Sequence, residues 1–134
     1  MKFSTKATYG IRAIIRLAQN WEQGNLSLAT IASEENISLG YLEKIFSKLK
    51  NKKIVVAEKG TTGGYCLSKK PSEINILEII NALEGDQDIF HCLDEKGKKY
   101  CSIKCHCDAN SYLVKIQGEL SKTLEKIKLS ELIK

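Results

Sequence analysis

The chain is poor in the residues that enzymes and membrane proteins need. It has two histidines among 134 residues, His91 and His106, and each stands beside a cysteine. No nucleophile–base pair is apparent around them, which argues against a catalytic pocket and for a protein that is not an enzyme. No apolar run approaches the ~20 residues of a membrane helix. The early apolar residues Ile11, Ala13, Ile14, Ile15, Leu17 and Ala18 are interrupted by Arg12 and Arg16, so they form no signal-peptide core. A cytoplasmic protein without membrane association is expected. Proline occurs once, at Pro71. Repeats and low-complexity stretches are absent, which leaves one domain or two small coupled units.

Cysteine, by contrast, is concentrated. Four of the five, Cys92, Cys101, Cys105 and Cys107, fall within sixteen residues as C-x8-C-x3-C-x-C. A core uses cysteine as a scattered small hydrophobe. This cluster shares its segment with Asp94, Glu95, Lys96, Gly97, Lys98 and Lys99, which show no apolar period. An odd cysteine count in a reducing compartment favours a metal or redox site over a disulfide framework. Cys66, between Tyr65 and Leu67 in an apolar strand, reads as a buried structural thiol.

Charge divides the chain. Residues 1–70 carry 12 Lys/Arg against 5 Asp/Glu, and residues 71–134 carry 9 against 11. A basic first half suits a polyanionic partner, although a Lys-rich solvated surface has the same composition.

The apolar period predicts a helix over 5–20, capped by Ser4 or Thr5, and a short helix over 27–34 with Ser27 as its cap. A second helix over 39–51 follows, with Ser38 at its N-cap and Leu42, Ile45, Phe46 and Leu49 on its buried face. Its other face carries Tyr41, Glu43, Lys44, Ser47, Lys48 and Lys50. This is a helix-turn-helix pattern, which a plain helical hairpin would share. The next segment favours the specific reading. Ile54–Ala57 is strand-like, Gly60, Thr61, Thr62, Gly63 and Gly64 make a turn, and Tyr65–Leu67 returns. A β-hairpin placed there is a wing, with Lys59 at its shoulder and Lys69 and Lys70 at its far end. The glycine turn lacks the Lys-Ser/Thr of a phosphate-binding P-loop and opens no helix.

Pro71 marks the expected boundary between a DNA-binding domain (1–70) and a second unit (71–134). The latter contains a helix over Ile76–Leu83 ended by Gly85, a cysteine loop (86–107) and a long helix within 108–134. Leu113, Ile116, Leu120, Leu124 and Ile127 recur at heptad intervals and predict a dimer seam, while Leu129, Leu132 and Ile133 suit packing back onto a neighbour. The fold class is mainly α with a small β-hairpin: a winged helix-turn-helix plus a C-terminal dimerisation helix.

The runs Met1–Ala13, Ile37–Lys50, Lys59–Tyr65 and Ile127–Leu132, with the cysteine loop between, resemble the bacterial Rrf-type winged-helix regulators, and within them the iron–sulfur cluster regulators of the IscR type. The resemblance covers nearly the whole chain in the family's order. It implies a homodimer on a pseudopalindromic operator, with half-sites ~34 Å apart. It places Ser38, Tyr41, Glu43, Lys44, Ser47 and Lys48 toward the major groove, and Lys59, Gly60, Thr61, Thr62 and Gly63 on the wing near the minor groove. It implies that Glu43 helps choose between operator classes, a role consistent with carboxylate acceptance from cytosine N4. Pairing of Glu43 with Lys44 or Lys48 is the plainer alternative.

The resemblance also implies a [2Fe–2S] cluster. Relatives with clusters use three cysteines at C-x5–8-C-x5-C, and Cys92, Cys101 and Cys107 match with x8 and x5. The fourth ligand departs from the family. Asn110 stands where the IscR type has a histidine, and Thr8 stands where another branch borrows an acid. Cys105, His106, Asp108 and His91 remain as candidates. Zinc is the rival metal, although only Cys101 and Cys105 have a zinc-like C-x2–4-C spacing; a metal-free thiol sensor is the third alternative. The resulting expectation is a DNA-binding repressor of iron–sulfur assembly genes under cluster control, with the assembly machinery as a further partner. The alternative is the same dimer sensing nitric oxide, redox state or cysteine metabolism through thiols or zinc, and more remotely an iron–sulfur electron carrier or enzyme.

Overall fold

The first helix, α1 (Thr5–Gln19), buries Ala7, Gly10, Ala13, Ile14, Leu17 and Ala18, residues that recur three or four apart along one face. These side chains are small where another helix comes close. In this computed structural model a Cβ added to Gly10 would lie 2.2 Å from Leu83 Cδ1, so glycine sets the approach of α1 to the fourth helix. The structure describes residues 2–61, 63–85, 89–90, 93 and 107–133.

Helix α2 (Leu28–Glu35) starts at Ser27, whose Oγ accepts from the Thr30 amide at 3.1 Å. It stops at Asn36, which adopts φ +53, the left-handed conformation common at helix ends. The chain then turns through Ile37 to Ser38, whose Oγ accepts from the Tyr41 amide and starts α3 (Leu39–Asn51). Caps of this kind contribute about 1 kcal/mol each. Arg12 and Arg16 of α1 pair with Glu35 and Glu34 of α2, and these ion pairs brace the first helix against the second.

Strands β1 (Val55–Glu58) and β2 (Gly64–Leu67) form an antiparallel hairpin with Val55 opposite Leu67 and Glu58 opposite Gly64. A third segment joins it. Leu26 and Tyr65 exchange both backbone hydrogen bonds at 2.9 Å, which sews the wing to the entrance of α2. Asn75 and Glu78 then make a reciprocal capping box for α4 (Ile76–Glu84), which ends at Gly85 with φ +85. The long helix α5 spans Asn110–Lys126. Beyond it, the Leu129 amide donates to Ile74 O and the Ile76 amide to Ile127 O, which returns the tail to the start of α4.

One apolar core unites these elements. It runs from Ala13 and Ile14 through Leu42, Phe46 and Leu49 to Ile79, Leu83 and Leu129. It is continuous across Pro71, where composition changes. Three details differ from expectation. Ser4 stands at the N-cap of α1, but its amide and hydroxyl bind Glu84 instead of the helix. Ile127 lies just past α5, where its carbonyl is taken by Ile76. Leu132 is exposed, whereas Leu129 and Ile133 pack the end back as expected, onto the chain's own core.

Candidate nucleic-acid interface and cysteine segment

Helix α3 divides cleanly into two faces. Leu42, Ile45, Phe46 and Leu49 are fully buried, which forces the intervening positions outward. Glu43, Lys44, Ser47 and Lys48 are exposed, as are Ser38 and Gly40. The Glu43 carboxylate has no cation partner among the described residues, so the alternative pairing with Lys44 or Lys48 is not made. Tyr41 behaves differently. It is half-buried, and its ring meets Tyr9 edge-on at 5.8 Å. Tyr9 in turn lies under the Arg12 guanidinium at 5.5 Å. Tyr41 is therefore held from behind by α1.

Lys48 is drawn toward the other side of the helix. Its ammonium donates to Leu83 O at 3.4 Å, at the end of α4. The neighbouring Lys6 amine, through a side-chain hydrogen bond and then by repulsion, lowers the Lys48 pKa from its ordinary value; Glu84 opposes this. Lys6 carries no motif, because its meeting with Lys48 depends on how α1 crosses α3.

The wing presents Lys59, Gly60 and Thr61 to solvent, with Gly63 half-buried; Thr62 lies outside the described residues. Gly60 adopts φ +114, and the Gly63 amide donates to its carbonyl at 2.9 Å. A Cβ on Gly63 would stand 2.7 Å from the carbonyl oxygens of Glu58 and Gly60, so this tight tip requires glycine. At the wing's base, Tyr65 packs on Phe46 of α3 with ring centroids 4.9 Å apart. Helix and wing therefore share an aromatic hinge. Cys66 is half-buried instead of fully enclosed, and burial, with help from the Glu58 carboxylate, pushes its thiol pKa up. A raised pKa keeps it a poorly reactive thiol.

Of the proposed cluster ligands, Cys107 and Asp108 are described, and both are exposed at the approach to α5. Cys107 is a free thiol. Cys92, Cys101, Cys105, His91 and His106 lie outside the described residues. The flank of the cysteine segment is nonetheless fixed. The Gln117 side chain, buried on α5, accepts from the Ile89 amide at 3.2 Å and more weakly from the Phe90 amide at 3.5 Å. Leu93, next in sequence to Cys92, is fully buried. Sequence reasoning missed Gln117 because a polar residue at that position looks like helix surface.

Glu84, at the end of α4, reaches the residue that precedes α1. It accepts from the Ser4 amide at 3.1 Å and from the Ser4 hydroxyl, and it lies near Lys48. Glu84→Gln is expected to lower stability by about 1 kcal/mol, since hydrogen bonds to a charged acceptor exceed neutral ones. Urea unfolding checks this, and an unchanged midpoint would show that the contact is not held in solution.

A short helix, a tight turn, an outward-facing second helix and an adjoining hairpin define a winged-helix DNA-binding protein. No helix among the described residues is long and apolar enough to cross a membrane. The chain belongs to the Rrf2 family, described as iron-dependent transcriptional regulators, whose family model matches residues 3–134. It is similar to the HTH-type transcriptional regulator IscR of Aliivibrio salmonicida, 33% identical over 99% of this chain and 77% of that protein. Among solved structures it is similar to CymR, the global cysteine regulator of B. subtilis, with a TM-score of 0.79 and 30% identity over 98% of this chain and 95% of CymR. T. potens IscR superposes with a TM-score of 0.76 at 28% identity, over 98% of this chain and 85% of that one. These relatives are transcriptional regulators, not enzymes, and this chain is a DNA-binding regulator of the same family.

Proposed function

We propose that two copies of this chain form a repressor dimer whose operator binding is controlled by a [2Fe–2S] cluster, and that its targets include iron–sulfur assembly genes. The observation that carries the DNA-reading part is the exposed face of α3, where Glu43, without a cation partner among the described residues, stands beside Lys44 and Ser47, set against the wing. Glu43 accepts from a cytosine amino group, while Ser38, Tyr41, Lys44, Ser47 and Lys48 contact phosphate or bases. Lys59, Gly60, Thr61, Thr62 and Gly63 follow the neighbouring backbone. The dimer forms along α5, where Tyr112 is 69% exposed and Ile116 46% exposed in the single chain.

Cys92, Cys101 and Cys107 would hold the cluster, with the fourth position filled from Cys105, His106, Asp108 or His91. The free, exposed thiol of Cys107 suits this donor set, because thiolates are the usual iron–sulfur ligands. A bound cluster supplies iron–thiolate bonds that depend on iron supply and redox state. The chain's own residues carry the consequence. Gln117 holds residues 89 and 90 against α5, and Glu84 joins the end of α4 to Ser4 and the Lys48 side of α3. Control requires only that the loaded and unloaded forms differ in operator affinity.

A second reading is favoured by the likeness in structure to CymR, whose TM-score of 0.79 stands beside 0.76 for T. potens IscR. It keeps the DNA-binding dimer and gives the cysteines a thiol-based or zinc-based response to redox state, nitric oxide or cysteine metabolism. Anaerobic purification with absorbance spectroscopy and iron, sulfide and zinc assays separates the readings. Under the first, iron and sulfide are present, and removing the cluster changes operator affinity by about fivefold or more. Equal affinities on every operator with and without the cluster would end the sensing proposal.

A further inference from the structure

The start of α3 carries an exposed apolar side chain that lies outside the buried core of the described residues. Leu39 is the first residue of the helix, and it is 43% exposed although the face it adjoins is polar. It stands between Ser38, which spends its hydroxyl on the Tyr41 amide, and Gly40, which offers no side chain. A Cβ on Gly40 would meet nothing within 4 Å, so packing does not require glycine there. Leu39 also does not belong to the core that buries Leu42, Ile45, Phe46 and Leu49.

The N-terminal residues of a recognition helix are those that reach base edges in the major groove. The one apolar feature in that groove is the C5-methyl group of thymine. We propose that Leu39 is a specificity-determining residue that packs on a thymine methyl in the operator half-site, beside the cytosine read by Glu43. The two residues are four apart and fall on adjoining parts of one helical face, so they would meet neighbouring base pairs. The assignment rests on α3 entering the major groove. The pair would read complementary features: a methyl group by burial, and an amino group by acceptance.

The test begins with selection of operators from random duplex DNA by the full chain. Each thymine of the enriched site is then replaced by deoxyuridine, which removes only the methyl group. For one thymine per half-site, loss of the methyl is expected to weaken wild-type binding about fourfold, the equivalent of one buried methylene at ~0.8 kcal/mol. Leu39→Ala should weaken the parent site and show no further loss with deoxyuridine there. Circular dichroism and thermal unfolding establish that the variant is folded; Leu39→Met, which keeps an apolar side chain, should retain most of the sensitivity. An enriched operator on which every deoxyuridine affects wild type and Leu39→Ala alike would overturn this assignment alone. Failure to enrich any sequence would overturn the operator reading together with it.

Discussion

Phe46→Ala is expected to cost about 3–5 kcal/mol of stability, the range for removing a buried aromatic ring. The ring is fully buried, and it lies on the inner face of α3 with its edge toward Tyr65 of the wing. Its removal loses burial, leaves a cavity and breaks an aromatic pair worth roughly 0.5–1.5 kcal/mol beyond burial. Phe46→Leu keeps most of the volume and should cost less. Urea unfolding of both variants gives the comparison. A loss below about 1 kcal/mol for alanine would mean that the core closes over the site, contrary to the close packing of native interiors. The same variant should weaken operator binding at temperatures where it stays folded, because Phe46 is also what the wing rests on.

The second large effect is expected at Gly64. A Cβ there would stand 2.6 Å from Leu26 O and 2.7 Å from Leu26 C, both backbone atoms. A side chain could swing aside, but this backbone is held by the two Leu26–Tyr65 hydrogen bonds. Gly64→Ala must therefore open the bridge or tilt the wing. Overpacking of this kind costs about 1–3 kcal/mol, and two lost hydrogen bonds add about 1 kcal/mol each. Amide exchange at Leu26 and Tyr65 should accelerate before the helices are affected, and operator affinity should fall with it. Retained protection at both amides would show that the strand contact absorbs the methyl without opening.

Both predictions concern contacts between segments distant in sequence. The local elements were legible beforehand because their causes are local. Ser27 and Ser38 cap the helices that they were expected to cap, and α3 occupies 39–51 as its apolar period requires. The wing's glycines and β-branched strand residues lie together in the chain, so the hairpin could be read directly. The bridge from Leu26 could not, since a single strand residue leaves no alternation to read. Ser4 shows the same limit. It has the composition of a helix cap, but Glu84 competes for its hydroxyl from eighty residues away.

The sequence by itself determined the helices, the wing, the basic first half and the gathering of thiols, because period, capping chemistry and composition act over a few residues. Only the tertiary structure decided what those pieces do to one another. It left Glu43 without a cation among the described residues, turned Lys48 toward Leu83, and held Tyr41 against Tyr9. It also put Gln117 on the flank of the cysteine segment and joined Glu84 at the end of α4 to Ser4 before α1. These pairings depend on how helices cross, and crossing is set by the close approach at Gly10 and by a core shared from Ala13 to Leu129.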